Sequence, residues 1–293
     1  MVAVQCVLTM GSTTLDLSPQ NTWKNGIALA SKDFGAPTVR EVTYDKSSMD
    51  GTDDQTHYYS QRVVNFTGKC FSQPNLSRSA AWRKIEPFLD PNARITITFA
   101  GDVDDPVVRQ ITNARISQWS RTPSSPVGYD IQLQWKADPA AIDQNQQSVD
   151  ISSGASSTLG RTYPRTYNLA YPTQPGGSGL GTAHSKGTFK TWPIYRIYGP
   201  TTNPTIALLV GGVVVGQVRL ILGISSGTYV EINSAARTVM LGGSTGSSRY
   251  SNLDSPNTTW VPMAPGTNTF RYTAQSLGAA SHCTILWNDA FLT

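Results

Sequence analysis

Apolar and polar residues alternate with a period of two along many short stretches of this chain, and no other feature constrains its fold as tightly. Successive side chains of a strand point to opposite faces, so such alternation marks a half-buried strand. Ile95, Ile97 and Phe99 alternate with Arg94, Thr96 and Thr98, and Ile131, Leu133 and Trp135 alternate with Gln132, Gln134 and Lys136. The same rhythm runs through Arg40, Val42 and Tyr44, and through Phe270, Tyr272 and Ala274. Strands therefore occupy both halves of the chain, and the expected class is mainly all-β. One stretch departs from the pattern. From Ser77 to about Glu86, Ala81, Trp82, Ile85 and then Leu89 fall on one helical face. Asn75 or Ser77 can cap it, and Pro87 and Pro91 stop it, which predicts one principal helix packed on the neighbouring strands.

At 293 residues the chain is long enough for two ordinary domains. After Lys136 its character changes: Asp138-Pro-Ala-Ala, the Gln/Asn run at 144–147 and Ser152-Ser-Gly-Ala-Ser-Ser157 are turn and loop material. The expected division is an N-terminal domain over 1–137, a linker over 138–160 and a C-terminal domain over 161–293. Close-spaced strands between Gly, Pro and Asn turns give the second half the pattern of a β-sandwich. The apolar run from Ile206 to Ile224 contains Gly211-Gly212, Gln217 and Arg219, which fits two buried strands around a glycine turn and not a membrane span.

Composition narrows the function. Lys and Arg outnumber Asp and Glu by 23 to 19, a net charge of +4, with no long basic block, so dedicated nucleic-acid binding is not indicated. Cys6, Cys70 and Cys283 are odd in number, far apart and outside any CxxC spacing, and are expected to be unpaired. The first ten residues contain no basic residue and include Gln5, so export by a signal peptide is not expected.

Candidate chemistry is sparse. The histidines are His57, His184 and His282; no nucleophile elbow has the required spacing, and His282-Cys283 would point apart on a strand. Asp50 to Asp54 and Asp102 to Asp105 offer oxygen ligands at short spacing, but neither matches the twelve-residue calcium loop. No catalytic residue, metal site or cofactor is assigned. Of the seven tryptophans, Trp23, Trp82, Trp119, Trp135 and Trp287 lie in strand-like or helical contexts that favour a core. Trp192 and Trp260, beside Pro193 and near Pro262, are the candidates for exposure and for sugar contact. A carbohydrate-binding sandwich acting in host-surface adhesion is therefore the alternative to a purely structural role.

The second half also carries an ordered set of motifs: Trp192-Pro-Ile-Tyr-Arg-Ile-Tyr-Gly-Pro200, Gly227-Thr-Tyr-Val-Glu-Ile-Asn233, and Trp260-Val-Pro-Met-Ala-Pro-Gly-Thr-Asn-Thr-Phe-Arg-Tyr272. Their order resembles the C-terminal domain of siphophage distal tail proteins. The resemblance covers about residues 187 to 292. It implies a galectin-like β-sandwich at the C-terminus, an N-terminal ring-forming domain, and a homo-hexamer at the distal end of the tail tube of a long-tailed bacteriophage. The implied partners are the tail tube protein, the tape-measure protein and the baseplate hub, with DNA only in transit through the lumen and no membrane insertion. The implied location is the tail tip of the virion, after assembly in the host cytoplasm. A closed ring needs two different surfaces on each subunit, and the loops around Thr52 and Asp53, and around Pro123 and Ser124, are candidate ring-interface positions.

Overall fold

The computed structural model describes residues 5–40, 43–45, 52–54, 58–100, 107–152 and 178–292. The chain is mainly β and divides into two compact units, one of residues 1–145 with 290–293 and the other of residues 146–289.

In the first unit, two sheets share one strand. The sheet ordered Thr13–Asp16, Cys6–Met10, Ile95–Ala100 and Val108–Ser125 continues to the start of Ala141–Ser152. The other sheet runs from Ile27–Asp33 through Arg62–Phe71 and Gly128–Ala137 to the same Val108–Ser125 strand. That strand can serve both because its register slips between Ile111 and Ala114, where Asn113 adopts a left-handed φ of 54°. Asn is one of the few residues that tolerates such a backbone, and a bulge of this kind bends a strand out of its first sheet. Asp138 holds the bulge: its Oδ2 accepts from Thr112 Oγ1 at 2.8 Å and Asn113 Nδ2 at 2.6 Å.

Alternation predicts the inward faces well. Ile95, Ile97 and Phe99 are buried together with Ile131, Leu133, Trp135, Val64 and Phe66 in one apolar cluster. The helix runs over Arg78–Arg83, with the Ser77 hydroxyl accepting from the Ala80 N–H at 3.1 Å. It gives way to a 3₁₀ turn at Glu86–Leu89, where Pro87 prevents further propagation. Trp82, Ile85 and Phe88 carry its apolar face into the cluster. Arg62 is fully buried in this unit. Its Nε and Nη2 donate to the Pro139 carbonyl at 3.0 and 2.8 Å, and Nη2 also reaches the Leu292 carbonyl at 2.7 Å. The guanidinium thereby anchors the returning residues 290–292.

The second unit packs two sheets over its own cluster. One is ordered Ser178–Ser185, Gly266–Thr273, Thr205–Val210, Val213–Arg219; the other contains His282–Phe291, Ile194–Tyr198, Tyr229–Asn233 and Thr238–Leu241. Tyr195, Ile197, Ile232, Ile285 and Trp287 meet Ile206, Leu208, Phe270 and Tyr272 between them.

Two expectations need correction. The segment 138–160 is not turn and loop material at its start, because Ala141–Ser152 is a twelve-residue strand. Its Gln/Asn run is exposed strand, which lacks the apolar alternation by which strands are recognised, and its residues Ala141, Ile142 and Asp143 pair with the Val108–Ser125 strand. The region from Ile206 to Ile224 does form strands around Gly211 and Gly212, whose φ values of 58° and 84° suit a tight hairpin. Yet Val213, Val214 and Val215 are exposed and not buried, since the hairpin reaches past the residues that cover the core. The strand-like piece at 166–171 lies outside the described residues.

All three cysteines are free and buried. Burial pushes the thiols of Cys6 and Cys70 up to about 12, and that of Cys283 upward as well. Unfolded thiols ionise from about pH 8.5, so above that pH the unfolded chain sheds protons that the folded chain keeps, and stability falls as pH rises. Ellman's reagent at about pH 8 should label no thiol in the folded protein and all of them in urea, and the urea midpoint should fall between about pH 8 and 10, less steeply in Cys6→Ala. Trp287 is 5% exposed; Trp287→Ala should cost about 3 to 5 kcal/mol in equilibrium unfolding, the range for a lost core aromatic.

Candidate functional site: an unpaired sheet edge

The Val108–Ser125 strand is 18 residues long, and its two ends face different situations. Its first part is flanked on both sides, by Ile95–Ala100 and by the start of Ala141–Ser152. Among the described residues, from Gln118 onward it pairs on one side only, with Gly128–Gln134, and every residue from Gln118 to Ser125 is exposed. At about 3.4 Å per residue this is an open edge of roughly 27 Å. Unpaired N–H and C=O groups along such an edge are a template for another strand, and soluble proteins normally cover or shorten them.

The two faces of the edge differ. On the helix side Trp119 sits 5.5 Å from Trp82, and Arg121 lies 5.0 Å over the Trp82 ring and 4.9 Å over Tyr129. Arg78 covers Tyr129 at 4.5 Å and donates from Nη1 to the Ser125 carbonyl at 2.8 Å. Trp119 remains 50% exposed. A rigid stack of Trp, Arg and Tyr left open to solvent has the composition of an interface hot spot. The other face of the sheet is polar. Gln134 Nε2 donates to Asn65 Oδ1 at 2.9 Å, Ser117 Oγ to Gln134 Oε1 at 3.0 Å, and Lys69 stands 3.7 Å from Asp130. The opposite edge of the same sheet is Ile27–Asp33. Beside it Trp23 is 73% exposed and touches Phe71 edge-on at 5.7 Å.

The candidate interface positions are strand, not loop. Pro123 pairs with Tyr129 and Ser124 follows it within the same strand; Pro is tolerated because the outer edge has no ladder to interrupt. Thr52 and Asp53 belong to Thr52–Asp54, which pairs with Thr43–Asp45 in a separate two-stranded sheet. Trp23 and Trp119, expected in the core, are instead the most exposed tryptophans. The signal for Trp119 was present in the sequence: from Gln118 to Ser125 it is the only large apolar residue, so that strand has nothing else to bury.

Trp192 is 36% exposed, flanked by the buried Thr191 that bonds to Met263. Trp260 is half-buried and lines a cavity of about 10 Å³ with Tyr195, Ser234 and Val261. That is room for about one water and not for a sugar ring. His57, Asp50 and Asp102 to Asp105 lie outside the described residues. Among the described residues, no three His, Cys, Asp or Glu side chains are grouped to hold a metal, and no helix is long and apolar enough to cross a membrane.

Residues 186–291 match the family described as Siphovirus-type tail component, C-terminal domain. No curated protein sequence matches the chain. Among solved structures the chain is similar to the SPP1 Dit (gp 19.1) protein, described as a paradigm of the hub adsorption apparatus in phages infecting Gram-positive bacteria. That similarity has a TM-score of 0.67 at 16% identity, covering 98% of this chain and 99% of that one. It is also similar to a chain of the phage P2 baseplate in its activated conformation with calcium, with a TM-score of 0.51 at 12% identity over 98% of both chains. The chain has a Dit-like fold, and its residues 186–291 match the C-terminal domain of siphovirus-type tail components.

Proposed function

We propose that this protein is a structural subunit of a siphovirus tail tip, forming a hexameric ring at the distal end of the tail tube and joining it to the baseplate hub, and that it is not an enzyme. The observation that carries this reading is the open edge at Gln118–Ser125 within a chain whose fold is Dit-like. The four strands of that sheet alternate in direction, so its two edges, Ile27–Asp33 and Val108–Ser125, run oppositely. Copies related by rotation about an axis along the strands would bring these two edges together as an antiparallel pair. That is a heterologous contact, the kind that closes into a ring. Trp119 and Arg121 are its central contacts, and Pro123 and Ser124 lie along it.

In such a ring the polar face bearing Asn65, Gln132 and Gln134 suits a lumen. Its exposed cations are Arg115, Lys136 and Lys69, the last paired with Asp130, a small group and not the extended array that tight phosphate binding needs, so DNA could pass in transit. The tail tube protein, the tape-measure protein and the hub are the partners this role requires.

Mass photometry of the full chain, alone and with tube protein, tests the reading. A species of six times the 31.7 kDa protomer mass is expected in at least one condition. Trp119→Ala should weaken assembly by about 2 kcal/mol or more per interface, roughly thirtyfold, as loss of a hot-spot tryptophan does. A chain that stays monomeric in both conditions, or a Trp119→Ala variant that assembles as well as the parent, contradicts it.

A further inference from the structure

A separate cleft of about 470 Å³ opens in the first unit beside Thr13–Asp16, the outermost strand of its sheet. Its volume lies in the range of roughly 300 to 1,000 Å³ typical of ligand pockets. Asp16 forms one end, and its carboxylate is already engaged, Oδ1 accepting from the Ser18 N–H at 2.8 Å and Oδ2 from Asn21 Nδ2 at 2.7 Å. Asn25 Nδ2 donates to the Asp16 carbonyl at 2.5 Å. Lys84 Nζ donates to the Lys24 carbonyl at 3.0 Å and to Asn25 Oδ1 at 3.3 Å. The ammonium is therefore held at the cleft by neutral acceptors, and Lys24 lines the same cleft. Two cations thus meet a single carboxylate that is occupied elsewhere, which leaves the cleft wanting negative charge.

The backbone adds a second requirement. The Leu17 N–H donates to the Cys6 carbonyl at 2.7 Å, and the ladder continues through Leu8 with Leu15 and Thr9 with Thr14. Antiparallel pairs alternate between bonded and non-bonded. The N–H and C=O of Thr14 consequently point outward, along the edge that borders the cleft.

We propose that this cleft docks an extended acidic segment of another protein, which bonds through its main chain to Thr14 and lays a carboxylate between Lys24 and Lys84. Strand addition of this type takes affinity from main-chain bonds and selectivity from the side-chain pocket. A strand of four residues is a short template, so the charge contact decides which segment is accepted. The inference needs only the fold of the first unit and does not depend on ring formation.

The test is fluorescence polarisation with the full chain and a labelled, capped peptide Thr-Val-Glu-Val-Thr. Binding is expected, weakening as salt rises. The peptide with Lys in place of Glu, and the peptide N-methylated on its central amide, should each bind about tenfold more weakly or worse. Lys24→Gln and Lys84→Gln should each lower affinity several-fold. Lys24 is exposed, so its variant stays informative if Lys84→Gln disturbs the packing around it. Binding that tolerates the Lys peptide, binding that tolerates N-methylation, competition by free glutarate as strong as by the peptide, or no binding at millimolar peptide would each overturn the proposal.

Discussion

The first unit depends on how one strand satisfies its main-chain hydrogen bonds. Val108–Ser125, at 18 residues, is longer than any strand it pairs with, and a strand can follow two sheets only if it bends. The bend is made at Asn113, in a backbone conformation that costs most residues energy. It is secured by the Asp138 carboxylate, which collects Thr112 and Asn113 across a chain separation of about 25 residues. Before the bend the strand is flanked on both sides; from Gln118 onward one side is bare among the described residues. The same bend that lets two sheets enclose one core therefore leaves an edge open, and the structure contains no element of its own that covers it among the described residues.

Each unit has a core of its own. In the first, apolar rows from both sheets converge with Trp82, Ile85 and Phe88. Arg62 lies fully buried beside them, and its guanidinium is held by the Pro139 and Leu292 carbonyls. Burial lowers its pKa from the usual arginine value, yet an arginine stays charged across physiological pH. Removing it would leave two partly buried carbonyls without this donor, so residues 290–292 are tied to the first unit. In the second unit, Tyr195, Phe270, Tyr272 and Trp287 provide most of the aromatic bulk between the sheets, and the Tyr272 hydroxyl finds Ser281 at 2.9 Å.

Period-two alternation made the buried strands legible, because burial on one face is what writes that pattern. Ile95 to Phe99 and Ile131 to Trp135 are strands with the inward residues that alternation predicts. The helix was equally readable from the spacing of Trp82 and Ile85 and the cap at Ser77. Strands that bury neither face escaped the same test. Gln144 to Gln147 reads as linker and Pro123-Ser124 as loop, yet both lie in strands. Asp138 reads as the start of a turn, and its role in holding a bulge 25 residues earlier depends on a tertiary contact that no local pattern encodes. Trp23 and Trp119 depart from expectation for a related reason: an aromatic in a strand or helix fills a core by default, and only the absence of apolar neighbours argues otherwise.

These features fit the proposed ring subunit, in which the strand edges would be completed by other chains. The edge carries Pro123 and register shifts at Ile116/Gln118 and Pro123/Ser125, features that discourage indiscriminate strand pairing, and it presents Trp119 and Arg121 as the side chains that would select a partner. Hydrogen–deuterium exchange on the assembled and the monomeric protein tests the claim most directly, because exchange reports main-chain bonds residue by residue. Assembly should slow exchange at both Gln118–Ser125 and Ile27–Asp33 while the buried strand Ile131–Trp135 is unchanged. Protection confined to residues 186–291, with Gln118–Ser125 exchanging as fast in the assembly as in the monomer, would contradict it.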